Sequence, residues 1–147
     1  MRLHSYRERM LLVIPIRFVL GAAWFVAARL AGLAATSAML AFVSGALVVT
    51  FVLLNDPRSR FLNRNVDPAD APPEAVVAPR WRQALRATMP STIGVSILAA
   101  IALVPQPALA ALLGGISAGL GIAALISVWS VDPTLYLDPT SGTVYRR

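Results

Sequence analysis

Two arginines, Arg17 and Arg29, are the only charged side chains that stand well inside long apolar stretches of this 147-residue chain. Arg17 follows Met10 by seven residues, roughly 10 Å along a helix rising 1.5 Å per residue. A guanidinium near a bilayer centre costs about 2.5–3.5 kcal/mol on insertion scales, so a charge there needs compensation. An anionic solute, a lipid phosphate or a partner carboxylate would supply it, and so would snorkelling to the inner head groups. Arg29, six residues before Ala35, reaches the outer head groups more easily. Arg17 and Arg29 are therefore the candidates for binding a solute or a partner.

Little other chemistry is on offer. Away from their ends the apolar stretches contain no Asp, Glu, His, Lys, Asn or Gln. Proton-coupled transport usually uses an ionisable carboxylate or imidazole within the membrane. Ser44, Thr50, Ser91, Ser96, Ser117 and Ser127 have no base beside them in the sequence, and a hydroxyl nucleophile needs one. There is no cysteine, which excludes disulfides, thiolate nucleophiles and Cys-ligated metals. The single histidine, His4, lies outside the apolar runs. Asp132 and Asp138 could hold a cation, but each precedes a proline and reads more simply as a turn residue. The expectation is a protein that is not an enzyme and carries no cofactor and no metal.

The elements that position these residues follow from composition. Hydrophobic residues make up 57% of the chain and charged ones 14%, against about 25% in soluble domains. The apolar residues gather in runs of about twenty, the length a helix needs to cross a hydrocarbon core about 30 Å thick. Reading along the chain, the first span covers about residues 10–33 and the second about 37–54, with a tight turn at 34–36. Asn55-Asp56-Pro57 ends the second. The third starts at Pro79, is kinked at Pro90 where Ser91 and Thr92 can repair the backbone, and runs to Val104. The fourth follows Pro105-Gln106-Pro107 and ends at Asp132-Pro133. The fold class is thus all-α integral membrane, with four transmembrane helices as two hairpins, residues 1–57 and 79–133. A proline-rich linker, 58–78, expected to be extended or mobile, joins them, and 134–147 forms a C-terminal tail.

All 13 basic residues are arginines, giving a net charge of +6. They flank the apolar runs, and no nucleic-acid motif accompanies them, so lipid and topology explain them better than nucleic acid. The N-terminus, the linker up to Arg86 and the C-terminus are basic, while both short turns are uncharged. Both termini are therefore expected in the cytoplasm, in what the arginine- and alanine-rich composition suggests is a bacterial plasma membrane. The rival reading of the start as a cleaved signal is set aside because the run is too long and Arg17 interrupts it. Arg80, Trp81, Arg82 and Arg86 read as the interfacial, head-group-binding start of the third helix.

Small residues mark the packing faces. Gly115 and Gly119 form a G-x-x-x-G pair on the fourth helix beside Gly121, and Ala41-x-x-x-Gly45 on the second is a natural mate. Their partner is expected inside the chain. The halves also align at an offset of 75, Tyr6-Arg7-Glu8 with Trp81-Arg82-Gln83 and Pro15 with Pro90, which raises the prospect of a duplicated two-helix unit. The functional expectation is a non-catalytic accessory or assembly subunit that packs against a larger membrane complex or against itself. The alternative is a small channel or transporter for an anionic or lipid-like solute.

Overall fold

The computed structural model describes residues 2–55, 68–138, 140–141 and 143–147, apart from the side chains of Tyr6 and Ala87. Asp56-Pro57 and the basic cluster Arg58, Arg60 and Arg64 lie outside the described residues. The described chain is mostly helical: α1 (Tyr6–Leu30), α2 (Ala35–Asn55), α3 (Arg80–Thr88), α4 (Ser91–Leu103) and α5 (Pro107–Val128). Three of these, α1, α2 and α5, are long and apolar enough to cross a membrane. The bent pair α3–α4 is a fourth candidate, its halves inclined by 52°.

Local sequence sets the helix ends. Ser5 caps α1, its hydroxyl accepting from the Glu8 amide at 3.4 Å, and Glu8 adds negative charge to the first turn. At the other end, the Leu33 amide donates to the Ala28 carbonyl and that of Gly32 to the Arg29 carbonyl. This double closure requires a left-handed residue, and Gly32 supplies it with φ 94°. The helix therefore stops at Leu30 and the turn falls at residues 31–34, slightly ahead of the expected 34–36. Pro15 sits within an unbroken α1, whereas Pro90, preceded by a cis peptide bond, separates α3 from α4.

The core is built around α5. Half of its most apolar stretch is buried, against 11% for α1 and 22% for α2. Both α1 and α2 pack along the length of α5 and touch each other only slightly. Phe25 and Phe42 meet edge to face, with centroids 5.4 Å apart, and bridge the two over it. The two sequential helix pairs differ accordingly. α4 packs against α5, while α1 and α2 are separated by it, so the halves that align in sequence do not repeat in packing.

A second difference from the sequence reading lies at the end where the chain begins and finishes. Among the described residues five short strands form one mixed sheet: β1 (Arg2–Ser5), β2 (Ala69–Asp70), β3 (Val76–Val77), β4 (Leu135–Leu137) and β5 (Val144–Arg146), in the order β2-β5-β4-β1-β3. β1 runs parallel to β3 and antiparallel to β4. The described part of the linker and the C-terminal tail are therefore paired rather than loose. Strands of two to four residues leave no detectable alternation of their own, and only their partners make them strands. The sheet draws chain from before α1, from between α2 and α3, and from after α5. Residues 80–103 thus lead away from the sheet end, and α5 leads back to it.

Candidate functional site

Arg17 lies on the face of α1 that meets α5, and it is only 3% exposed. The Ser117 hydroxyl, itself fully buried on α5, donates to the Arg17 carbonyl at 3.2 Å. A Cβ added to Gly121 would lie 3.3 Å from the Arg17 Cβ, so the absence of a side chain there gives the arginine stem its room. The Arg17 Nη2 donates to the Ser91 Oγ at 2.5 Å, and that hydroxyl donates onward to the Thr88 carbonyl at 3.1 Å. Thr88 in turn donates to the Ala84 carbonyl at 2.9 Å. The guanidinium is thereby connected to the negative C-terminal end of α3, a favourable position for a cation. Its Nε and Nη1 are buried and have no hydrogen-bond partner among the described residues; Thr92 Oγ1 and Trp24 Nε1 share that condition.

Arg29 is placed differently. It is exposed and turns back to donate from Nη1 to the Leu33 carbonyl, just beyond the end of its own helix. A cation among the last carbonyls of a helix satisfies them locally. The two arginines named together in the sequence are not brought to one site.

α3 runs beside the first half of α1. Arg80 and Glu8 form an exposed ion pair at 3.0 Å at its start, and Ser91 reaches Arg17 just past its end. Gln83, Ala84 and Thr88 turn inward, and the Gln83 Nε2 donates to the Ala78 carbonyl at 2.6 Å. Trp81 and Leu85 face outward with exposures of 62% and 54%. Arg80, Arg82 and Arg86 are exposed, with Arg82 set over the Trp81 ring at 5.1 Å. An outward apolar strip edged with arginines is the pattern of a helix at a lipid surface.

The glycines form two lines on α5. Gly115 and Gly119 face α2, where an added Cβ would collide with the Phe42 carbonyl at the first and come within 2.6 Å of the Ala46 carbonyl at the second. Gly45 answers from α2, its added Cβ meeting the Leu112 carbonyl. Gly114 faces α1, with a Cβ there 2.9 Å from the Gly21 carbonyl. Backbones this close pack without intervening side chains, the arrangement small residues permit in lipid. Thr50 adds a hydrogen bond from Oγ1 to the Gly119 carbonyl at 3.2 Å.

At the sheet end, His4 is buried. Its pKa is lowered by that burial and by the charges of Arg9 and Arg86, against an opposing pull from Asp138. Asp132 and Asp138 each close a turn. Asp132 accepts from the Thr134 amide at 2.9 Å, and Asp138 from the Thr140 amide at 3.0 Å and the Ser141 hydroxyl at 2.8 Å. These hydrogen bonds hold both carboxyls below the usual carboxylate range. Among the described residues no three His, Asp or Glu side chains converge. At the far end of the bundle, a pocket of about 410 Å³ lies between α4 and α5, lined by Leu98, Ile101, Leu109 and Leu113, with Gln106 its polar side chain.

What the sequence reading missed is the relay from Arg17 through Ser91 to Thr88. Its signal was present: a buried arginine and a proline-broken helix followed by Ser both need hydrogen-bond partners, and each supplies the other's. The chain matches no protein family, no curated protein and no solved structure.

Proposed function

We propose that this protein is a non-catalytic polytopic membrane subunit that assembles with a larger membrane complex or with further copies of itself. It crosses the bilayer four times, with the sheet and both chain ends in the cytoplasm of a bacterial cell. The observation that carries this reading is how the hydroxyls are used. Ser117 and Thr50 join helices to one another, while the outward faces of α1 and α2 are largely apolar, with Leu11, Val19 and Val26 on α1 and Leu40, Leu47 and Phe51 on α2 all more than half or about half uncovered. Such surfaces suit lipid or the helices of a partner. Arg80, Trp81, Arg82 and Arg86 anchor the cytoplasmic rim to anionic lipid.

A second reading, a small channel or transporter for an anionic or lipid-like solute, draws on the unpartnered nitrogens of Arg17. One experiment separates the two. A photo-crosslinking residue at Leu47, in native membranes, is expected to give a discrete adduct with one protein or with a second copy. If it gives none, and Arg17→Gln abolishes anion flux through vesicles containing the purified chain, the assembly reading is wrong.

A further inference from the structure

Arg17 is a buried cation for which its own helices supply no counter-charge. α2, α3, α4 and α5 contain neither Asp nor Glu, and the one acidic residue of α1, Glu8, is paired with Arg80. Two guanidinium nitrogens, Nε and Nη1, have no partner among the described residues, and neither has the Oγ1 of Thr92, which follows Ser91 in the first turn of α4. Ser91, which holds Nη2, is the first residue of α4, so the guanidinium sits where the amides of a helix N-terminus and its positive dipole end gather. The carbonyl end of α3, reached through Ser91 and Thr88, offsets this charge only in part, and no carboxylate of the bundle faces it.

The spot also opens outward. Pro90 and Ser91 are exposed on the flank of the α3–α4 break, and the hydroxyl that accepts from Arg17 Nη2 belongs to that exposed Ser91. The length of α4 places it in depth. Thirteen residues span roughly 20 Å, short of a hydrocarbon core about 30 Å thick. With the far end of α4 set at the outer boundary of the membrane proposed above, the break lies about 10 Å inside the cytoplasmic one. A group meeting all these demands is compact, anionic and rich in acceptors, and reaches the spot from the cytoplasmic lipid layer or the water beside it. A phosphate group fits, since its oxygens accept from a guanidinium in paired fashion and from helix amides at once.

We propose that Arg17, Thr92 and the first turn of α4 form a seat for one phosphate group, carried either by a lipid head group drawn inward at the short α4 or by a free phosphate ion. The seat rests on the membrane placement proposed above but on neither reading of the overall role. Arg17 supplies charge and direction, and Ser91 is the hydroxyl that the phosphate displaces or shares.

The purified full chain in dodecyl maltoside provides the test, with thermal unfolding followed during titration by phosphatidylglycerol, by inorganic phosphate and by chloride at equal ionic strength. The expected result is a saturable rise in midpoint with one phosphatidylglycerol bound per chain by native mass spectrometry. Arg17→Lys weakens it at least about tenfold, because the ammonium lacks the planar fork. An equal rise with inorganic phosphate identifies the free ion as the source, and no rise with it identifies the lipid. Ser91→Asp places a carboxylate beside Arg17, and is expected to raise the midpoint without lipid and to cancel the response to both probes. No saturable response in the wild-type chain, an equal response to chloride, or a response untouched by both Arg17→Lys and Ser91→Asp overturns the proposal. Flotation of the chain with vesicles tests the membrane placement separately, so the two failures are distinguishable.

Discussion

Replacing Gly119 by alanine places a methyl group 2.6 Å from the Ala46 carbonyl oxygen, with the Ala46 Cα and carbonyl carbon at 3.0 and 3.2 Å. All three are backbone atoms, so no change of rotamer relieves the contact. α2 must withdraw by about 0.8 Å to restore ordinary van der Waals separation. The Thr50 hydrogen bond to the Gly119 carbonyl, 3.2 Å long, would then stretch to about 4 Å and be lost. Overpacking of this kind costs about 1–3 kcal/mol, and an interhelical hydrogen bond in a membrane protein contributes about 0.6 kcal/mol on average. Alanine regains up to about 1 kcal/mol of helix propensity, so the expected net loss is about 1–2.5 kcal/mol, roughly five- to seventyfold in the folding equilibrium. Gly94 is the internal control. It lies within α4, and an added Cβ there meets nothing within 4 Å, so Gly94→Ala should change stability by no more than about 1 kcal/mol and in the favourable direction. Both variants are measured by titrating dodecyl maltoside micelles with sodium dodecyl sulfate and following helix content by circular dichroism. Equal midpoints for Gly119→Ala and Gly94→Ala would mean that α2 does not lie on α5 at the distance described.

Three further outcomes follow from other parts of the molecule. Gly32→Ala puts a side chain at φ 94° and should cost about 1–2 kcal/mol in the same titration; an unchanged midpoint means the left-handed closure of α1 is not formed. Because burial and then Arg9 and Arg86 lower the proton affinity of His4, the unfolded chain binds more protons below about pH 6.5. Stability due to neutral His4 is therefore present above that pH and lost on acidification. Amides of β1 should exchange faster at pH 5.5 than at 7.5 after correction for intrinsic rates, and His4→Gln should remove the difference; protection independent of pH in the wild type refutes the burial of His4. Glu8→Gln breaks an exposed pair and should cost under about 1 kcal/mol, less at high salt, and a larger loss would show that the pair is shielded from water.

The apolar runs determined the membrane-length helices by themselves, because a segment that must satisfy its backbone groups without water has few alternatives to helix. Pro90 marked the break, Gly115 and Gly119 marked a close approach, and Asp132 and Asp138 read as turn residues, all from local chemistry. Packing order was a matter for the tertiary structure. Loop length suggests that neighbours in sequence pair, but Gly114 and Gly115 stand about 100° apart around α5, and two bare faces on one helix let α1 and α2 settle on it separately. The small sheet was equally invisible, since each strand is too short to be stable until chain from three distant places is brought together. The position of Arg17 depended on the same assembly. Its charge and its place in an apolar run were plain from sequence, but whether it reached water, lipid or Ser91 depended on which helix began beside it.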